Sequence, residues 1–283
     1  MSSYHRAMGL HTAARALALS CHPVPSAAVT GLAAGLGALA GLSAGRTALV
    51  AAAVLAGQLS IGWSNDALDA ERDRAVRRSD KPVAAGAVSP RAVAVAAGTA
   101  LVAAVALSAT LGGRGGAAAL LIVVCGWAYN LGAKATALSW APYAVAFGAL
   151  PAVATLSGEP PRMAPVWAIA AGAALGVAAH LANVLPDLRD DQATGVRGLP
   201  HRLGARGTAI AAAAVLLAGS AAVQFGSGGG GTWPWVGFAA VAALALGATA
   251  IALRRPTSKL FFLAIIAIAV LDLAFFALAG SRL

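Results

Sequence analysis

Acidic residues are scarce in this chain and concentrated in two short segments. Eight of the ten Asp and Glu residues lie within residues 65–80 and 183–191. Each segment repeats one Asn and two Asp residues at steps of four: Asn65, Asp69 and Asp73 in the first motif, and Asn183, Asp187 and Asp191 in the second motif. Side chains four residues apart lie on one face of an α-helix. The spacing therefore predicts two helical stripes, each with an amide and two carboxylates.

Two such stripes favour the binding of a hard divalent cation. Carboxylates stacked along a helix repel one another, and a low-dielectric membrane boundary strengthens that repulsion. Mg²⁺ binds carboxylate oxygens and usually keeps substrate phosphates and water among its ligands. We therefore predict catalytic roles for Asp69, Asp73, Asp187 and Asp191, and metal ligation by Asn65, Asp66, Asp69, Asp73, Asn183, Asp187 and Asp191. The alternative is a solvated helix whose acids pair with nearby arginines, as Asp69 could with Arg72.

Basic residues follow both motifs closely. Arg77 and Lys81 come after the first motif, and Arg197 comes after the second. Divalent metal ions together with Lys and Arg are a typical setting for a diphosphate, because these cations neutralise charge on its oxygens. We therefore predict diphosphate contacts for these three residues. The alternative is that they only anchor the chain at the membrane surface.

The composition indicates a membrane protein. Hydrophobic residues make up 59% of the chain and charged residues only 11%, whereas about a quarter of a soluble domain is charged. The apolar residues form blocks of about 18–22, the length at which a helix crosses a hydrocarbon core of about 30 Å. The net charge of +10 is better explained by membrane topology than by nucleic-acid binding. Cys21 and Cys125 are too few for a disulfide framework and are expected to be buried thiols.

Nine apolar segments predict an all-α membrane protein with nine transmembrane helices in one domain, residues 1–283. The segments are 26–45, 47–64, 92–111, 115–133, 138–157, 164–184, 206–225, 232–252 and 259–280. With the N-terminus inside, sixteen Lys and Arg residues fall on the inner side and four on the outer side. The positive-inside rule then places the N-terminus and both motifs on the cytoplasmic side of a multi-pass cell-membrane protein. Glycine pairs such as Gly31 with Gly35 and Gly172 with Gly176 predict closely packed helices.

The first motif and the residues after it resemble the UbiA superfamily of intramembrane prenyltransferases. The family pattern N-D-x-x-D-x-x-x-D is matched at Asn65, Asp66, Asp69 and Asp73. Residues 81–89 resemble the family segment that follows this pattern. The family's second pattern, D-x-x-x-D, is met within the second motif, and residues 195–200 resemble its usual continuation. The resemblance covers nearly the whole chain.

This resemblance implies a helical bundle around a central cavity that opens toward lipid. Two Mg²⁺ ions held by the aspartates would bind an isoprenoid diphosphate, whose ionisation gives an allylic cation that a lipophilic, often aromatic, acceptor attacks. The expected activity is Mg²⁺-dependent prenyl transfer among membrane lipids, with no nucleic-acid or obligate protein partner. An apolar cavity suits this chemistry, because it holds the tail and keeps water away from the cation.

Several residues depart from the family pattern or from their apolar surroundings. Family members often carry Y-x-x-x-K after the fourth helix, but Tyr129 and Lys134 are five residues apart here, and Asn130 stands four before the lysine. The resemblance still implies a diphosphate contact for Lys134, whereas Tyr129 is otherwise an interfacial aromatic. His22 stands where many members have an arginine before proline. Asp272 lies inside the last apolar segment, where it would face the bundle interior as an acceptor contact or as a protonated helix–helix hydrogen bond.

Two other functions are compatible with the same residues. An intramembrane terpene cyclase would ionise the same diphosphate without an acceptor, and nothing in the motifs separates it from a transferase. A cation transporter could use paired acids as an ion path, although the acids gather at one membrane face and the other face has almost none. The acceptor, the prenyl chain length and the oligomeric state stay open at this level.

Overall fold

The chain folds into α-helices joined by short turns over the residues that the computed structural model describes, which are 13–226, 228, 231–278 and 283. Single 3₁₀ turns lie at Ala133–Ala135 and at Leu185–Asp187. The helices within the described part are α1 (Ala13–Leu19), α2 (Pro23–Leu39), α3 (Ala44–Ala75), α4 (Pro90–Ala109), α5 (Gly113–Leu131), α6 (Ala141–Leu156), α7 (Val166–Val184), α8 (Leu188–Ala193), α9 (Leu199–Phe225), α10 (Trp233–Arg254) and α11 (Leu260–Leu278).

Seven of these helical segments are long and apolar enough to cross a membrane: α3, α4, α5, α7 continued by α8, α9, α10 and α11. The pair α1 and α2 passes the same test only as one span, and it is bent by 57°. Helix α6 is apolar but has 16 residues, fewer than the roughly 20 that a straight crossing needs. The all-helical membrane fold is confirmed, whereas the count of nine transmembrane helices stays a prediction.

Helix α3 continues well beyond the apolar segment that predicts it. The apolar run ends near residue 64, but the helix extends to Ala75 and has 32 residues. At 1.5 Å per residue it is about 48 Å long, which exceeds a hydrocarbon core of about 30 Å. Its last turns therefore carry the first motif toward the edge of the apolar layer without a break in the helix.

Small residues allow some of the helices to pack closely, as the glycine pairs predict. A side chain added at Gly172 or Gly176 of α7 would collide with backbone carbonyl oxygens of α6. Gly35 of α2 lies directly against the side chain of Leu273 in α11. Its partner in sequence, Gly31, has open space beside it, so the prediction of close packing is wrong for that residue.

The two ends of the bundle are held by different interactions. At the end remote from both motifs, the far end, the guanidinium of Arg46 donates to the carbonyl oxygens of Ser157 at 2.9 Å and Thr110 at 2.8 Å. These carbonyls close helices α6 and α4, so one side chain satisfies two helix C-termini. At the opposite end, the motif end, the connections between helices are mostly ion pairs.

Candidate functional site

The carboxylates of the first motif are buried along one face of α3. Asp66, Asp69 and Asp73 are exposed by 2%, 5% and 5% of their surface. Their positions on one continuous helix confirm that these side chains form the stripe that the spacing predicts. Ionised carboxylates are rarely buried to this extent unless cations or hydrogen-bond donors compensate them. Each of the three carboxylates does have a cationic partner.

Lysine and arginine side chains reach this stripe from three directions. Lys81, in the turn after α3, bridges Asp66 at 3.2 Å and Asp73 at 3.0 Å. Lys134, in the 3₁₀ turn after α5, contacts one oxygen of Asp69, and Arg72 donates to the other at 2.8 Å. The structure therefore brings both predicted lysines to the first motif.

The two lysines differ in their electrostatic balance. Burial disfavours the ammonium of Lys81, but attraction to Asp66 and Asp73 outweighs burial, and the pKa of Lys81 is raised. For Lys134 burial dominates over the attraction of Asp69, and its pKa is lowered from the usual lysine value. Lys81 is thus held firmly as a cation, whereas Lys134 gives up its proton more easily.

An amide network fixes the start of the first motif. The side-chain nitrogen of Asn65 donates to Asp69 at 3.2 Å and to the amide oxygen of Asn130 at 3.2 Å. Asn130, on α5, donates in turn to Ser64 and to the carbonyl of Ile61, both at 2.9 Å. In the sequence, Asn130 is notable only because it stands four residues before Lys134. A lone buried amide in an apolar helix is the signal that points to its role.

The second motif does not form a helical stripe, which corrects the prediction. Helix α7 ends at Val184, a 3₁₀ turn holds Asp187, and the short helix α8 carries Asp191. Pro186 lies in this break, where its missing N–H and its ring prevent an uninterrupted α-helix. Asn183 is exposed on α7, and its position relative to the two aspartates is set by the break rather than by a helical period.

Two arginines, one within the span of the first motif and one in the turn after it, contact the second motif. Arg78 forms an ion pair with Asp187 at 3.1 Å and donates a hydrogen bond to Asp80 at 2.8 Å. Arg72, already paired with Asp69, has a nitrogen 4.0 Å from Asp191. Hydrogen bonding to Arg78 lowers the pKa of Asp80 to about 2, so that neighbour stays ionised. Both motifs therefore face one shared, charged region at the motif end.

The remaining predicted residues lie at the edge of this region. Arg77 is exposed and adopts a positive φ of 56°, and the neighbouring Arg78 makes the contact to the second motif instead. Arg197 is exposed beyond the second motif. His22, at the bend between α1 and α2, lies with its Nε2 atom 3.0 Å from Asp66. The N-terminal bend therefore contacts the first motif directly.

The donor set fits a hard divalent ion that arrives with its substrate. Asp and Asn oxygens are the ligands that Mg²⁺ prefers. Within the described residues, no three acidic, His or Cys side chains converge into a complete metal cage. Mg²⁺ does not need one, since it commonly takes one or two carboxylates and completes its shell with phosphate oxygens and water. The aspartates present here suit that mode of binding.

A row of aromatic rings leads from the motif end toward the bundle interior. Tyr129 precedes the Asn130 that anchors the first motif, and its ring centroid lies 5.1 Å from that of Tyr143. Tyr143 stacks on Phe147 at 6.3 Å with an angle of 10° between the rings. Phe147 lines an apolar cavity of about 80 Å³. Other side chains that line this cavity are Leu36, Leu150, Trp167, Leu216 and Phe276.

Asp272 is the acidic residue of this apolar cavity. Its carboxyl group is buried between α9 and α11 and accepts from Ser220 at 2.6 Å and from Gln224 at 3.0 Å. It faces the bundle interior, as expected for a polar residue within a membrane span. The contacts tie two helices together, which agrees with the helix–helix interpretation of this residue.

Several solved structures have a similar fold. An apo UbiA homolog from Aeropyrum pernix K1 has a TM-score of 0.74 at 19% identity, over 89% of this chain and 97% of that chain. A UbiA homolog from Archaeoglobus fulgidus bound to GPP and Mg²⁺ has a TM-score of 0.72 at 17% identity, over 93% and 99%. A digeranylgeranylglyceryl phosphate synthase has a TM-score of 0.66 at 15% identity, over 96% and 99%.

The family assignment rests on the sequence as well as the fold. No curated protein sequence matches the chain. The model of the UbiA prenyltransferase family matches residues 24–279, which include both motifs and the helices that carry them. The chain therefore belongs to the UbiA prenyltransferase family.

Proposed function

We propose that this protein transfers a prenyl group from an isoprenoid diphosphate to a lipophilic acceptor within the membrane, in a reaction that requires Mg²⁺. The observation that carries the proposal is the meeting of the two motifs. Arg72 lies between Asp69 and Asp191, and Arg78, in the turn after the first motif, pairs with Asp187. A diphosphate between the motifs would meet carboxylates for its metal ions and cations for its own charge.

The metal ions would be held by the first motif through Asn65, Asp66, Asp69 and Asp73, and by the second through Asn183, Asp187 and Asp191. Mg²⁺ held by these residues would stabilise the negative charge of the leaving diphosphate. Support at the family level comes from the A. fulgidus homolog, whose structures contain GPP or DMAPP together with Mg²⁺.

Four basic residues in the shared region are placed to bind the diphosphate. Each of them is paired with a motif aspartate: Lys81, Lys134, Arg72 and Arg78. With metal ions held by those aspartates, the ammonium and guanidinium groups would be free to contact phosphate oxygens. They would then stabilise the negative charge that develops as the bond from the prenyl C1 atom to oxygen breaks. Arg77 and Arg197 are further candidates from the sequence.

The aromatic row would hold the prenyl chain and shield the reaction from water. The rings of Tyr129, Tyr143 and Phe147 provide apolar surface from the motif end to the cavity. Their faces are also electron-rich and attract a nearby cation such as the allylic fragment left by ionisation. The acceptor then donates the electron pair for the new bond and releases a proton.

The surroundings of the site fit lipid-soluble substrates on the cytoplasmic side. The excess of Lys and Arg in the loops of the motif end favours that orientation. An apolar prenyl tail partitions into the bilayer, from which it can enter a helical bundle without crossing water.

A matched pair of variants on α3 tests the proposal. Asp69→Ala removes a buried carboxylate from the stripe, whereas Glu71→Ala removes an exposed acid two residues away. We expect Asp69→Ala to lose Mg²⁺-dependent release of diphosphate from a prenyl donor in membranes, and Glu71→Ala to keep it. Retained release in Asp69→Ala would remove the metal assignment. Incubation with donor alone, followed by a search for a cyclic hydrocarbon, separates transfer from cyclisation.

A further inference from the structure

The turn between α5 and α6, residues 132–140, brings Lys134 to the first motif but has little anchorage of its own. Within this turn only Ser139 is buried, with none of its surface exposed. The other residues of the turn are exposed or half-buried. Turns with few buried contacts open more readily than the helices around them. The position of the Lys134 ammonium group therefore depends on what holds Ser139.

Two groups from outside the turn hold Ser139. Its hydroxyl group is hydrogen-bonded to Nε2 of His180 on α7 at 3.0 Å, and it accepts the backbone N–H of Leu199 on α9 at 3.0 Å. Gly198 packs closely on the same turn, since a Cβ atom at that position would lie 2.7 Å from the carbonyl oxygen of Lys134. The turn is therefore fixed by α7 and α9, the helices on either side of the second motif.

His180 also contacts both ends of this turn. Its ring centroid lies 5.6 Å from that of Tyr129 on α5 and 5.1 Å from that of Tyr143 on α6. The two tyrosines flank the turn in sequence, and Ser139 is its buried residue. His180 is only 1% exposed. It therefore acts on the turn and its flanking rings, and it does not contact a ligand itself.

The imidazole of His180 carries a cost that an apolar ring would not. Its Nδ1 atom is buried and has no hydrogen-bond partner among the described residues. An unpaired buried nitrogen destabilises a folded chain. A phenylalanine ring could make the same aromatic contacts without this cost. What histidine adds is therefore the hydrogen bond from Nε2 to Ser139, and this points to a role in placing the turn.

We propose that His180 is a positioning residue for prenyl transfer, which holds the α5–α6 turn so that Lys134 meets the diphosphate beside the second motif. This inference rests on the proposed function, and it adds a residue that touches neither substrate nor metal. It also gives α7 two tasks, because the same helix leads into the second motif. A change at His180 should then reach the prenyl donor only through Lys134.

Donor binding measures this effect without turnover. Purified protein is titrated with geranyl diphosphate and Mg²⁺, and the bound donor is measured by equilibrium dialysis. His180→Phe keeps an aromatic ring and removes the hydrogen bond to Ser139. We expect it to raise the Kd for the donor about tenfold, the scale of one hydrogen bond to a charged group. Ser139→Ala removes the same bond from the other side and should raise the Kd similarly.

A double-mutant cycle separates the placement of Lys134 from a general structural effect. In a protein that carries Lys134→Met, His180→Phe has no lysine left to displace, so the Kd should change by less than about twofold. About the same loss in both backgrounds would assign His180 to general packing and overturn the inference. An unchanged Kd in His180→Phe alone would overturn it as well.

Ser60→Ala is the matched control for Ser139→Ala. Ser60 is equally buried and also makes two hydrogen bonds, to the Ala97 carbonyl and from Trp127, each of 3.0 Å. We expect Ser60→Ala to lower the melting temperature without a change in the donor Kd. His180→Phe should melt close to the unmodified protein, because it removes an unpaired nitrogen while it leaves one hydroxyl group unpaired. An equal rise of the Kd in Ser60→Ala would overturn the inference.

Turnover distinguishes this inference from the proposed function. If the unmodified protein binds geranyl diphosphate with Mg²⁺ but releases no diphosphate with any acceptor, the proposed function fails, whereas the binding cycle still decides the role of His180. If release occurs and the cycle shows equal losses in both backgrounds, the proposed function stands and His180 is not a positioning residue. If no prenyl diphosphate binds, both fail.

Discussion

The two aspartate motifs share one spacing in sequence but have different structures. The first lies on the continuous helix α3, and the side chains of its three aspartates are at most 7% exposed. The second spans a helix break, and the side chains of Asp187 and Asp191 are 35% and 19% exposed. Equal spacing therefore gives an aligned stripe only where the backbone stays helical. The first motif is fixed along one helix, whereas the second spans a turn between two helices.

The largest effect, on stability, should follow from removal of Lys81, the cation that pairs with two aspartates of the first motif. Lys81→Met leaves Asp66 and Asp73 buried without their shared partner. Loss of one member of a buried ion pair typically costs about 3–5 kcal/mol, and we expect a large fall in thermal stability in detergent. Lys259→Met is the control, because this lysine is 72% exposed and 3.7 Å from Asp80. Similar melting temperatures for the two variants would show that the buried pairing contributes little.

Asp272 differs from the aspartates of both motifs, because its hydrogen-bond partners are neutral side chains instead of cations. Asp272→Ala leaves Ser220 and Gln224 buried without their acceptor, and we expect a loss of about 1–3 kcal/mol. Asp272→Asn keeps one acceptor oxygen and should lose less. Thermal unfolding of both variants measures the difference. If Asp272→Asn unfolds as readily as Asp272→Ala, hydrogen bonding does not explain this residue.

The helix break itself can be tested through Pro186. Pro186→Ala allows α7 to continue, which moves the second motif away from Arg78 and Arg72. We expect the Mg²⁺ concentration for half-maximal activity to rise by about tenfold. Metal affinity typically falls by about this factor when the residues that orient the metal ligands are lost. The control is Pro165→Ala at the other end of α7. An unchanged Mg²⁺ requirement would mean that the break has no part in metal binding.

The smallest expected effect is a change in the pH dependence of donor binding, which depends on the protonation of Lys134. Because burial lowers its pKa, Lys134 loses its charge below the usual lysine value of about 10.4 as the pH rises. Diphosphate affinity should then weaken on the alkaline side, seen as a KM for the donor that increases with pH. Lys134→Arg keeps its charge and should flatten that increase. Parallel pH profiles for the two proteins would assign the alkaline change to another group.

Much of the fold can be predicted from the sequence, because apolar blocks of membrane length become helices in almost any arrangement. The first motif is predicted for the same reason, since its three aspartates need only one unbroken helix. Pro186 is visible in the sequence, but the spacing that the second motif shares with the first favours an unbroken helix. A proline between two motif residues is a stronger signal than the period of four.

Other features of the site could not be predicted because they depend on the path of the backbone. The turn after α3 places Arg77 in a left-handed conformation, and this decides that Arg78 reaches Asp187. The contact between Asn130 and Asn65 depends on how α5 packs on α3. Neither is encoded by local spacing.

Arg46 makes the two ends of the bundle differ in their expected response to salt. Its hydrogen bonds to two backbone carbonyls do not exchange with dissolved ions, whereas the ion pairs of the opposite end compete with Mg²⁺, phosphate and salt. A rise in ionic strength should therefore weaken the contacts at the motif end and leave those at the far end unchanged. Amide hydrogen exchange measured at low and high salt would detect this as faster exchange around residues 76–89 with constant protection near Thr110.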